Sequence, residues 1–305
     1  MILRQGKPFD GPCIAHERHD MAMIETARGR IDYDQCGDGP TVVFVPGSCS
    51  TGAAWRPVMA ALGGQFRCVT TSLLGYGGTD ERRTEADPSI SYEADIVEAV
   101  VRRAADRVHL VGHSFGGLVA LAVALRGRVP LASVTIAEAP AANLLRDLGE
   151  HRHFGAFRDM TDAYLRAFHS GNKAAIAAMI DFYGGSGTFA SWPPRVRAYA
   201  METTPVNILD WASVYGFRLS RSALATIDVP VLVLRGAESH PAVRRANELL
   251  SLHIKGASLA TVAGAAHFLI STHPHDTAAA IARHVTRFER VPEHASLAGA
   301  ASEHG

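Results

Sequence analysis

No charge of either sign predominates in this chain: thirty lysines and arginines offset thirty aspartates and glutamates. A protein that grips nucleic acid or an anionic membrane surface concentrates basic charge, and this balance argues against both partners. Cysteine is scarce. Cys13, Cys36, Cys49 and Cys68 stand far apart, with no CxxC pair and none of the density of a disulfide-stapled domain. That usage suits a reducing compartment, and a cytoplasmic location is expected. No apolar run reaches the roughly 18 residues of a membrane span. Met1 to Asp20 also lacks the apolar stretch of a secretory signal. Histidine is plentiful, but metal-ligand spacing is missing. There is no HExxH, His16, Glu17, His19 and Asp20 cluster only at a terminus, and His151 and His153 merely alternate. Neither a metal nor another cofactor is expected.

What is present is a length and an apolar share, 305 residues and 47%, sufficient for a sizeable core. Residues 1–22 are polar and irregular and read as a flexible extension, and 291–305 as a flexible tail. Between them, short β-rich apolar runs alternate with helical periodicity. A strand is predicted over Glu25 to Tyr33, then Thr41 to Val45, Phe66 to Thr71, Val108 to Val111, Leu131 to Ala137, Val229 to Leu234 and Ala257 to Val262. Helices are predicted over Trp55 to Leu62, Tyr92 to Ala105, Phe115 to Leu125 and Thr277 to Phe288. This alternation implies an α/β fold, a mostly parallel sheet with helices on both faces. Residues 141–223 break the pattern. They hold two helical stretches, His153 to His169 and Lys173 to Phe182, then an aromatic-rich segment without a buried β run. The expected organisation is a core of 23–140 and 224–290 with 141–223 inserted as a helical cap.

Gly112-His113-Ser114-Phe115-Gly116-Gly117 lies between the strand Val108 to Val111 and the helix from Phe115. Gly-x-Ser-x-Gly alone is common, but a strand before and a helix after are what a nucleophilic serine requires there. The serine must sit on a sharp turn whose neighbours lack bulk, with its hydroxyl at a helix N-terminus that favours negative charge. Such a serine needs a base. His267, in Gly264-Ala265-Ala266-His267-Phe268 after the last predicted strand, has the right place in chain order; His240, His273 and His275 are rivals. Two carboxylates could orient it, Glu138 at the end of one strand and Glu238 after the next, and residue chemistry does not choose between them. Backbone N–H groups of Phe115 and of Ser48, in Pro46-Gly47-Ser48-Cys49-Ser50, are the candidates for an oxyanion hole. Trp192, Phe157 and Phe182 are the candidate substrate-lining residues of the cap, with Phe154, Tyr183, Trp211 and Phe217 as further ones.

Taken together these segments resemble the α/β-hydrolase superfamily over about residues 24 to 290. Val42 to Trp55 looks like its oxyanion strand and loop, Leu74 to Thr79 its glycine-rich loop, Gly112 to Gly117 its nucleophile elbow and Gly264 to Phe268 its histidine loop. Pro46-Gly47 departs from the usual His-Gly. Ser239 stands where the family often has its acidic residue, and a subset of the family carries a Glu after the preceding strand, as Ile136-Ala137-Glu138-Ala139-Pro140 does. The resemblance therefore implies Glu138 as the acid. It also implies acyl transfer from an ester-like small molecule through a covalent intermediate on Ser114, without a cofactor. Carbon–carbon bond hydrolases, lactonases and perhydrolases share the frame, as does a ligand sensor that keeps the triad without turnover. Serine rather than aspartate at position 114 argues against the dehalogenase and epoxide hydrolase pattern. A small-molecule substrate is the partner called for, with a homodimer left open.

Overall fold

The structure, a computed structural model, describes residues 22–289. All but the last residue of the expected extension 1–22, with its His16 to Asp20 cluster, and the whole tail 291–305 lie outside the described residues. Strands β1 (Ala22–Thr26) and β2 (Gly29–Cys36) form an antiparallel hairpin where the sequence predicts one strand. The reversal was concealed because Ala27 and Arg28 are not turn formers; Gly29, at φ 116, supplies the backbone freedom instead.

Strands β3 (Thr41–Val45), β4 (Arg67–Thr70), β5 (Val108–His113), β6 (Leu131–Ala137), β7 (Val231–Gly236) and β8 (Ser258–Val262) complete a sheet ordered β1-β2-β4-β3-β5-β6-β7-β8. The last six are parallel to their neighbours, and β2 runs antiparallel to β4. β3 and β5 are buried at every position, which is why they read as unbroken apolar runs rather than alternating ones. Helices α1 (Arg56–Ala61), α2 (Ser91–Ala104) and α3 (Phe115–Arg126) lie among the strands before β6. Along β3, Val43 and Val45 join one apolar cluster with α2 and α3, while Val42 and Phe44 join another with α1. The sheet is thus covered on both faces.

Between β6 and β7 the chain adds α4 (Ala142–Asp147), α5 (His151–His169), α6 (Ile176–Gly184), α7 (Thr188–Ser191), α8 (Pro194–Glu202), α9 (Thr204–Gly216) and α10 (Arg221–Leu224). Then follow α11 (Pro241–His253), α12 (Leu269–Thr272) and α13 (Pro274–Glu289). Helix α11 has no counterpart in the sequence prediction. Its outer face carries Arg244, Arg245 and Glu248, which dilute the apolar stripe of Val243, Ala246 and Leu250. Among the described residues no helix is long and apolar enough to cross a membrane. Cys49 and Cys68 are free thiols, whereas Cys36 is disulfide-bonded. Wide spacing of the cysteines is therefore no ground for assigning a compartment.

Candidate active site

β5 ends in a turn so tight that Ser114 takes φ 54 and ψ −125, outside the regions ordinary side chains occupy. The surroundings enforce it. The Ser114 N–H donates to Ala137 O on β6 at 2.8 Å, and its own carbonyl accepts from Gly117 at 2.9 Å. Any Cβ on Gly112 would lie 2.2 Å from the Gly116 carbonyl oxygen, and one on Gly116 would lie 2.2 Å from that of Pro46. Glycine is therefore required at both places. The Ser114 hydroxyl stands where α3 begins, at a positive helix end with free N–H groups.

His267 Nε2 lies 2.9 Å from Ser114 Oγ, and His267 Nδ1 lies 3.1 Å from Glu138 Oε2. Glu138 is fully buried and, like Ser114, sits just past a strand with positive φ, 56°. Its other oxygen, Oε1, accepts from the Gly236 N–H at 2.7 Å. Asn247 on α11 clamps the next peptide, accepting from Ala139 N and donating to Ala139 O, each at 3.1 Å. With Nδ1–H donating to the carboxylate, Nε2 is left to accept the serine proton. Glu238 is exposed and takes no part in this chain. Ser239 is buried, with a hydroxyl that has no partner.

Two rings hold the imidazole. Tyr183, from α6, stacks on it with centroids 4.0 Å apart and planes at 26°. His113 packs against it and reaches His267 O from Nε2 at 2.8 Å. Burial, then the charge of His267, pushes the His113 pKa down to about 3. His113 is therefore neutral, and its Nε2–H donates to that carbonyl.

Ser114 and His267 open onto a cavity of about 420 Å³ lined mainly by apolar groups, among them Met179, Ile180, Trp192, Trp211, Val214 and Phe268. Ser48 and Phe115 line it beside Ser114. A Cβ on Gly47 would fall 2.9 Å from Ser114 Cβ, so the Pro46 to Ser50 loop lies directly against the elbow. Cys49 also lines the cavity but is unsuited to act as a nucleophile. Burial, and next the charge of Asp210, pushes its thiol up to about 12, so no thiolate forms at neutral pH.

Beside the cavity lies a charged cluster that no sequence motif announces. Asp210, on α9, accepts from Ser48 Oγ at 2.5 Å, Tyr76 OH at 2.6 Å and Arg83 at 2.7 Å. Arg83 also meets Glu81 at 2.8 Å and Glu93 at 3.1 Å. Burial raises the Asp210 pKa while the Arg83 charge opposes the shift, and burial pushes Glu93 up to about 8. The cluster ties the helical insertion to the core. Removing one partner of a buried pair strands the other charge. Asp210→Ala should thus lower the unfolding free energy by about 3–5 kcal/mol in urea denaturation. A loss below about 1 kcal/mol, the range of exposed pairs, would mean that the cluster does not hold the insertion down.

Of the three cap residues singled out from sequence, Trp192 lines the cavity. Phe157 does not: it is fully buried against Phe182 and Trp211 in the interior of the insertion. Phe182 also turns away, packing on Tyr183 and over the His240 ring at 4.0 Å. Helical periodicity shows that a face is buried, not whether it meets a cavity or another helix. Tyr183 and Trp211, further candidates from sequence, do reach the cavity.

Comparison with known proteins agrees with this architecture. Residues 42–280 match the profile described as "Alpha/beta hydrolase family". Haloalkane dehalogenase 2 of Mycobacterium tuberculosis is 32% identical over 103 residues, 33% of this chain and 36% of that protein. The pimeloyl-[acyl-carrier protein] methyl ester esterase of Aeromonas hydrophila is 32% identical over 111 residues, 36% of this chain and 42% of that protein. The matched segments thus span less than half the length of these relatives. Among solved structures, Est816, described as an N-acyl homoserine lactone degrading enzyme, superposes with a TM-score of 0.68 at 20% identity. That match covers 86% of this chain and 99% of Est816.

Proposed function

This chain belongs to the alpha/beta hydrolase family, and from that premise we propose that it is a serine hydrolase cleaving ester-like acyl substrates through an acyl-enzyme on Ser114. The observation that carries the proposal is the unbroken hydrogen-bond chain Ser114–His267–Glu138 at the edge of an apolar cavity. His267 Nε2 takes the proton as Ser114 Oγ attacks the substrate carbonyl. The backbone N–H groups of Phe115 and Ser48 stabilise the developing oxyanion. Collapse of the tetrahedral intermediate breaks the bond to the leaving alkoxide, which takes the proton from His267. Water then attacks the acyl-enzyme with His267 again as base, releasing the acid and restoring the serine. Glu138 orients the ring and stabilises its positive charge throughout. The carboxylate displacement used by haloalkane dehalogenases would need an acidic residue at position 114, and this chain has serine.

A fluorophosphonate probe tests this directly. Attack by the activated hydroxyl forms a Ser–O–P bond and expels fluoride. One adduct per chain is expected by intact mass spectrometry, located on the Ser114 peptide and absent from Ser114→Ala. Equal labelling of wild type and variant would refute the assignment.

A further inference from the structure

The two N–H groups assigned to the oxyanion are held in different ways. That of Phe115 is the first of α3 and is placed by the helix. That of Ser48 lies in a loop, and the next residue, Cys49, takes φ 56, a backbone conformation that a residue with a side chain rarely adopts. Such a conformation persists only where the surroundings over-determine it. Gly47 abuts the elbow, and Ser50 Oγ donates to Gly47 O at 2.8 Å, closing the loop on itself. The third hold comes from the insertion: Ser48 Oγ donates to Asp210 Oδ2, on α9, at 2.5 Å. Asp210 is itself fixed. It is 1% exposed, Tyr76 OH donates to the same oxygen at 2.6 Å, and Arg83 donates to Oδ1 at 2.7 Å. The Arg83 charge also offsets that of the carboxylate, which unpaired would oppose a negative oxygen nearby.

We propose that Asp210 is a positioning residue: through Ser48 Oγ it holds the Ser48 N–H on the oxyanion, so that the insertion contributes to transition-state stabilisation as well as to the cavity wall. This rests on the acyl-enzyme reading above. A donor aligned before the reaction needs no reorganisation as charge develops, so loosening it lowers kcat more than it raises KM.

The test removes the tether and keeps the N–H. Ser48→Ala leaves the Arg83 cluster whole. Its kcat for p-nitrophenyl pentanoate should fall about 10–100-fold, with KM within about twofold of wild type. Trifluoromethyl butyl ketone reads the alignment without turnover. Ser114 Oγ adds to its carbonyl carbon, the carbonyl π pair becomes the oxyanion, and the serine proton passes to His267. The inhibition constant of this ketone should rise in Ser48→Ala by the factor by which kcat/KM falls. In an Asp210→Asn background, Ser48→Ala should lower kcat by no more than about twofold further, since the hydroxyl then has no carboxylate to follow. A wild type that neither hydrolyses the ester nor binds the ketone would sink the acyl-enzyme reading and this inference with it. With an active wild type, three results would each overturn the inference alone: kcat and ketone inhibition unchanged in Ser48→Ala, a loss confined to KM, or Ser48 and Asp210 losses that multiply.

Discussion

Replacing Ser114 by Ala is expected to lower kcat on any ester the protein hydrolyses by about 10⁶-fold, the scale seen when a serine protease loses its nucleophile. The size follows from what the residue does and what is left without it. Oγ sits 2.9 Å from the base at the start of a helix, so its removal ends covalent catalysis rather than weakening it. The cavity and the N–H groups of Ser48 and Phe115 remain, so KM should change little, and a residual rate of roughly 10³–10⁴ over water is expected from them. Single-turnover measurement of p-nitrophenol release reads this. It also excludes contaminating wild type, which would give a burst of small amplitude. A variant as fast as the wild type would remove Ser114 from the chemistry altogether.

The second large effect concerns the acid. Glu138→Gln should reduce kcat/KM by about 10⁴-fold, whereas Glu238→Gln should stay within about twofold of wild type. Glutamine keeps the shape of Glu138, and its oxygen can still accept from Gly236. Its amide, however, offers N–H where His267 Nδ1–H needs an acceptor. The ring then favours the other tautomer, with the proton on Nε2, and can no longer accept from Ser114. Glu238 is exposed, with its side chain off the path between His267 and Ser114. Loss of activity in the Glu238 variant alone would reverse the assignment. Parallel thermal unfolding keeps a folding defect at the buried Glu138 from passing as a kinetic one.

The parts of the site legible in the sequence are those that local chain geometry encodes. Ser114 could be read because strand, glycine-flanked serine and helix follow one another without interruption. His267 could be read because it lies in the loop after the last strand of a parallel sheet, at the sheet's carboxyl edge. Glu138 could be set above Glu238 only through the family resemblance, in which a Glu after this strand stands in for the acid missing at Ser239. The supports of these residues were not legible, because they come from distant parts of the chain. Gly236 holds Glu138 across 98 positions, Asn247 holds Ala139 across 108, His113 holds His267 across 154, and Asp210 holds Ser48 across 162. No periodicity or local motif announces such pairs. The hairpin of β1 and β2 escaped for the opposite reason, since it is local but lacks the usual turn residues. Phe157 and Phe182 misled because an aromatic on a buried helical face has the same pattern whether it meets a helix or a cavity.

The Arg83–Asp210 junction also bears on how molecules reach and leave the serine. Lifting α9 would separate fully desolvated charges, at a cost of several kcal/mol, which would make such lifting a rare event beside each catalytic turnover. Val196, 43% exposed, and Trp192, half-buried, both border the cavity and are where it meets solvent without moving α9. With α9 pinned in this way, the insertion is a fixed wall of the cavity rather than a moving cover. Bulk at Trp192 and Val196 would set which leaving groups pass and how fast product escapes, a control on turnover exercised well away from the bond being broken.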